Sequence, residues 1–162
     1  MTRVRGATWL LACCCGLVPA LAAAAVSCSV TATGPAFGVY NPLNAAPTLA
    51  NGQEVVTCTL TGNATTTVNL VSSFSTGASG SYALRTMLSG ANTLNYNLYK
   101  DAALTQILGN GSGGSQTILA SLTLTRLNRT RTSTAILYGR VPASQDVPAG
   151  SYTDTITVTV TY

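Results

Sequence analysis

The chain has 162 residues, 46% of them hydrophobic and only 7% charged. Eight Lys and Arg residues stand against four Asp and Glu, and there is no histidine. So sparse a charge excludes the broad basic face of a nucleic-acid binder, and the missing histidine removes the commonest general base and metal ligand at neutral pH.

The N-terminus reads as an export signal. Arg3 and Arg5 form a positive start, Ala7 to Ala22 is an uncharged apolar run, and Ala22–Ala25 supplies the small residues of a cleavage site. Residues 1–25 are therefore expected to be a signal peptide and residues 26–162 the folded domain. A rival reading takes Leu10–Leu11–Ala12–Cys13 as a lipoprotein cleavage box, but its apolar run would be very short. The exported part is about 138 residues, one domain by length, with a net charge of about +2 once Arg3 and Arg5 leave. Cys13, Cys14 and Cys15 leave with the signal, so Cys28 and Cys58 remain. An even pair in an oxidising compartment predicts a disulfide. Two thiols without a histidine leave a zinc shell unfilled, and no metal or other cofactor is expected.

Beyond the signal the hydrophobic period is that of strands throughout. Ser27 to Thr33 puts Cys28, Val30 and Ala32 on one face, Gly34–Pro35 breaks it, and Phe37 to Tyr40 reads as a short continuation. Gln53 to Thr61 alternates Val56, Cys58 and Leu60 with Thr57, Thr59 and Thr61. Both cysteines thus sit on apolar strand faces, and their bridge is expected to tie the two segments through the core. Thr65 to Ser72, Tyr82 to Leu88 and Thr93 to Lys100 follow, the last with Leu94, Tyr96 and Leu98 on one face. Asp101 to Ala103 reads as one helical turn and Gly109 to Ser115 as a glycine loop. Gln116 to Arg126 and Thr132 to Val141 are strands, and Pro142 to Gly150 is a proline-bounded loop. Ser151 to Tyr162 ends the chain as a strand whose Ile156, Val158 and Val160 oppose a row of threonines. Such a strand needs a neighbour in its own sheet or on another chain. Eight or nine strands without a helix predict an all-β sandwich.

Catalytic signatures are missing. The four carboxylates Glu54, Asp101, Asp146 and Asp154 lie in different segments, and no nucleophile elbow, phosphate loop or dinucleotide fingerprint occurs, which argues against an enzyme. Arg126, Arg129 and Arg131 form a basic cluster that could touch an anionic glycan or surface, although a solvated hairpin turn is the plainer reading. Phe74, Met87 and Tyr99 are either exposed apolar contacts or, by default, core residues. The three Asn-X-Ser/Thr sequons, at Asn63, Asn110 and Asn128, are expected by chance in so Asn- and Thr-rich a chain.

Several motifs in order carry a family resemblance. They are Cys28 with Phe37–Gly38–Val39–Tyr40–Asn41–Pro42, then Val55–Val56–Thr57–Cys58, then Leu94–Asn95–Tyr96–Asn97–Leu98–Tyr99 with Asp101–Ala102–Ala103. Tyr138–Gly139–Arg140–Val141–Pro142 and Val147 through Asp154 complete the set. Together they resemble the spore coat protein U domain family, shared with archaic chaperone–usher pilus subunits. The resemblance implies an immunoglobulin-like β-sandwich lacking its last strand. A hydrophobic groove would be lined by Ile156, Val158 and Val160, filled first by a periplasmic chaperone and then by an extension from another pilin subunit. The Tyr162 carboxylate would be similar to the chain end that such chaperones grip, and an outer-membrane usher would export the subunit to a surface fibre.

Polymerising pilins carry a donor extension of about ten residues or more, the length of a strand, before the first cysteine. Cleavage at Ala22–Ala25 leaves only about three to six residues ahead of Cys28. Such a chain accepts a strand but hardly donates one, which suits a tip or terminal adhesive subunit. Cleavage nearer Ala12 would instead leave LVPALAAAAV as a donor. A self-complete secreted spore-coat-type protein is the alternative, and a small carbohydrate-binding or hydrolytic domain the third.

Overall fold

A computed structural model describes residues 25–162, so the expected signal segment lies almost wholly outside the described residues. The strands are β1 (Ala25–Thr33), β2 (Thr48–Thr61), β3 (Thr66–Phe74), β4 (Arg85–Ser89), β5 (Asn92–Tyr99), β6 (Ile118–Leu124), β7 (Thr130–Val141) and β8 (Val158–Thr161). They form an immunoglobulin-like sandwich of a five-stranded sheet, ordered β1-β2-β7-β5-β4, on a three-stranded sheet, ordered β6-β3-β8. Every strand pair is antiparallel.

Side-chain parity builds the core. Val56, Cys58 and Leu60 of β2 meet Val68 and Leu70 of β3 and Leu122 and Leu124 of β6 in one buried cluster. Phe74, Met87, Leu94, Tyr96, Leu98, Leu108, Ile118, Leu137 and Val141 make a second. Phe74 and Met87 are therefore core residues, whereas Tyr99 is half-buried. The outer faces carry threonine pairs across strands, Thr57 with Thr132 at 3.2 Å and Thr67 with Thr123 at 3.0 Å between hydroxyls.

Four expectations need correction. Phe37 to Tyr40 does not continue a strand, because Gly38 turns the chain with φ 70° and Phe37 folds inward. Asp101 to Ala103 is a turn rather than a helical turn. Its Asp101 carboxylate accepts hydrogen bonds from the backbone N–H groups of Thr105 and Gln106, which closes the chain back on itself. The Cys28–Cys58 disulfide joins directly paired neighbours β1 and β2, with Cα atoms 4.0 Å apart, so it locks one edge of a sheet instead of spanning the sandwich. Finally, the terminal segment is regular only over Val158–Thr161. Upstream, Thr153 bridges Leu88 of β4, and the chain then crosses to pair with β3 of the other sheet.

Candidate functional site

Two of the four sheet edges differ from the others. On β4 and β6 the large inward side chains are sealed, Arg85 and Met87 at 0% and 8% exposed and Ile118, Leu122 and Leu124 between 0% and 9%, with only the small Ser89 and Ala120 half-buried. On β1 the inward residues Val26 and Cys28 are only half-buried, Val30 is 39% exposed and Ala32 is exposed. Their register partners on β2, Leu60, Cys58, Val56 and Glu54, are all buried. The same contrast holds on β8, where Val158 and Val160 are half-buried although their partners Phe74 and Ser72 are sealed. Each of these strands is paired on one side only among the described residues. Apolar side chains aimed at the core but left half-wet on two strands mark an open groove between the sheets.

The cavities follow that line. One lobe of about 420 Å³ is lined by Ala32, Gly34, Pro35 and Phe37 on the β1 side and by Tyr152 to Ile156 and Val158 on the other, with Leu98 and Leu137 as floor. A second, of about 630 Å³, continues past Phe37 and Tyr40 to Val147, Pro148 and Tyr152. Pro35, Phe37, Met87 and Tyr152 belong to both, so the two are continuous. Phe37 packs edge-on against Tyr96, with ring centroids 6.0 Å apart. It also lies where only a glycine tolerates it, since a Cβ on Gly139 would stand 2.7 Å from its ring. Tyr40 donates to the Pro142 carbonyl at 3.0 Å and accepts from the Gln145 amide at 2.8 Å, which pins the loop forming the far end of the groove.

The wall from Tyr152 to Val158 is held by a polar network that strand periodicity did not disclose. Asp154 accepts the Tyr96 hydroxyl at 2.7 Å and the Ala78 amide at 2.9 Å. Burial first, then this bond to Asp154, pushes the Tyr96 hydroxyl pKa well up, so the phenol stays protonated. Thr157 donates its amide to the Ser75 hydroxyl and accepts the Ser75 amide, both at 2.9 Å. Ser75 is fixed in turn by Arg85, which donates to its carbonyl at 2.8 Å, to the Leu108 carbonyl at 2.8 Å and to Asn97 Oδ1 at 2.7 Å. Burial lowers the pKa of the Arg85 guanidinium, an effect that nearby Tyr96, Tyr82 and Asp154 oppose.

The structure thus gathers Val158 and Val160 onto β8 and places Ile156 just ahead of it on the groove wall. Tyr162 follows β8 and is 56% exposed. Arg126, Arg129 and Arg131 line neither cavity and lie along the β6–β7 connection, which crosses from one sheet to the other rather than turning a hairpin, with Arg129 donating to Asn63 at 2.9 Å. Glu54 reads in the sequence only as one of four scattered carboxylates, and the 34–40 segment only as a strand break, a short continuation and part of the family motif, so neither was assigned to this region. The signal for Glu54 was available: it shares the parity of Val56, Cys58 and Leu60, and so had to point inward. Among the described residues no group of three or more acids or cysteines is placed to hold a metal, and no helix is long and apolar enough to cross a membrane.

Comparison places the chain in a family. The Spore Coat Protein U domain matches residues 15–159, nearly the whole sequence. The chain belongs to that family. Among solved structures it is similar to a chain of the CsuC–CsuE chaperone–tip adhesion subunit pre-assembly complex, from the archaic chaperone–usher Csu pili of Acinetobacter baumannii. The identity is 17% and the TM-score 0.45, with 85% of this chain and 40% of that one covered. The chain therefore spans about two fifths of the length of that relative. No curated protein matches.

Proposed function

We propose that this protein is a structural subunit of a bacterial surface fibre whose sandwich is finished by a strand from another chain. The observation that carries the reading is the half-wet inward face shared by β1 and β8, beside a continuous apolar groove. A strand laid along β8 would pair its open edge and cover Ile156, Val158 and Val160, which is recognition by strand addition. Membership in the Spore Coat Protein U family supports the same view.

On this reading the chain passes through the periplasm, where a pilus chaperone occupies the groove and meets the Tyr162 carboxylate. An outer-membrane usher then exchanges that chaperone for the strand of another subunit. The short stretch between Ala22–Ala25 and Cys28 suits a tip or terminal position, and the role is structural rather than catalytic. The alternative is a secreted coat-type protein that needs no added strand.

Thermal unfolding of the oxidised protein, alone and with synthetic donor-strand peptides, tests the proposal. A large rise in Tm with a peptide is expected. A chain that is already stable, cooperative and indifferent to every peptide would overturn the proposal in favour of the coat-type reading.

A further inference from the structure

Strand β7 is accompanied by β2 along its whole length, from Thr130 opposite Thr59 to Val141 opposite Thr48. On its other side β5 pairs only with Tyr138, Gly139 and Arg140. Past Tyr99 the chain turns away, for Lys100 donates its amide to Gln106 and the Asp101 carboxylate accepts the Thr105 and Gln106 amides. Among the described residues Thr130 to Leu137 therefore has no strand beside it there, over about 26 Å. Register says which groups are left free. The Arg129 carbonyl accepts the Leu60 amide, so odd-numbered residues of β7 turn their backbone groups to β2 and even-numbered ones turn away. Tyr138 and Arg140 direct theirs to β5, whereas Thr130, Thr132, Thr134 and Ile136 face no strand, and all four are exposed.

The inward side chains of this stretch are half-wet as well. Ser133 and Ala135 are half-buried, although their register partners Val56 and Glu54 are 3% and 2% exposed. Arg131 follows on the same face, exposed, opposite the buried Cys58. The charge here has one sign. From Ala102 to Gln145 the chain holds Arg126, Arg129, Arg131 and Arg140 and no acid. Arg129 is drawn to Asn63 at the turn after β2, while Arg131 stands on the strand itself.

We propose that the open half of β7 is a second strand-accepting edge, separate from the groove, which takes an extended acidic segment of another protein with an Asp or Glu opposite Arg131. A strand laid there continues the line of β5, pairs the free backbone groups of Thr130, Thr132, Thr134 and Ile136, and covers Ser133 and Ala135. In an antiparallel pairing the residues opposite Arg131, Ser133 and Ala135 fall at the non-hydrogen-bonded positions, where cross-strand side chains come closest. An acid there meets the Arg131 guanidinium, and a lysine or arginine is repelled. A second copy of this chain is a poor occupant, because its own stretch from Arg129 to Leu137 brings two more arginines and no acid. A charge at a free edge also turns away stray apolar strands, so Arg131 both guards this edge and selects what pairs with it.

The test is an NMR titration of the oxidised protein at low salt, with amide exchange followed residue by residue. The probes are peptides of about nine residues, alternating threonine and valine, with Glu, Gln or Lys at the position opposite Arg131. A further peptide copies Arg129 to Leu137. The Glu peptide is expected to protect the amides of Thr132, Thr134 and Ile136 and to bind about fivefold more tightly than the Gln peptide, with the Lys peptide weakest. In Arg131→Glu, a change at an exposed side chain, the order should invert and the Lys peptide bind best. The proposal is overturned if those amides stay unprotected, if Glu and Gln bind alike, or if the order survives in Arg131→Glu. Binding of the Arg129–Leu137 copy as tight as that of the Glu peptide would make a second copy the occupant and overturn it too. Protection confined to Val158 to Thr161 would overturn this edge and leave the groove reading standing.

Discussion

Arg85 is the bulkiest side chain fully sealed from solvent among the described residues, and it neutralises no carboxylate by direct contact. It works as a clamp of donors on the carbonyls of Ser75 and Leu108, and through Ser75 it steadies the groove wall at Thr157. Arg85→Met should leave those acceptors buried and unpaired and cost about 3 kcal/mol or more in urea unfolding. A loss below about 1 kcal/mol would show that the clamp is dispensable. Glu54 makes the pH prediction. Burial raises its pKa above the ordinary 4.5, so the folded state holds the proton more tightly than the unfolded one. Its contribution to stability is full below that value and is lost as pH rises through the folded pKa. Glu54→Gln should therefore gain on the parent in melting experiments as pH rises from about 4 to about 7. Parallel profiles would contradict this. Neither Arg85 nor the Asp154 contacts could be read from the sequence, since a buried polar clamp depends on tertiary meetings such as Asp154 with Tyr96, 58 positions apart.

At the scale of elements, the strands were legible and their ends were not. Alternation located β2, β3, β5 and β7 because each has one buried face, and parity put both cysteines inward. It could not say that Cys28 and Cys58 are direct cross-strand partners, because register is set by pairing rather than by period. Nor could it foresee the break in the terminal strand. Alternation is unchanged through Thr153 to Val160, yet Asp154 is drawn to Tyr96 and the chain changes sheets before Val158. The disulfide carries the prediction here. It closes a loop with a sequence separation of 30 and holds β1 in place at a sheet edge. Replacing both cysteines by serine should cost about 3–4 kcal/mol in denaturant unfolding. It should also loosen β1 more than β6, seen as faster proteolysis ahead of Gly34. Equal susceptibility of the two strands would show that the bridge does not govern that edge.

Taken whole, the molecule is a sandwich with two well-closed edges and two that face each other across an apolar groove. The family was legible from motifs scattered along the chain, because Phe37, Tyr40, Tyr96 and Gly139 are needed together: Phe37 packs on Tyr96 and over Gly139, and Tyr40 pins the next loop. The groove along Ile156, Val158 and Val160 was implied by the family resemblance but not by periodicity, since it is made by residues whose alternation promises burial and whose surroundings withhold it. The central claim is that an added strand completes this fold along β8. Amide hydrogen exchange, followed residue by residue on the oxidised protein with and without a bound strand peptide, tests it most directly. The account predicts that Val158 to Thr161 and the amides of β1 exchange quickly alone and become strongly protected with the peptide, while β6 and β4 hardly change. Strong protection of β8 in the protein alone, or no gain there on binding, would contradict it.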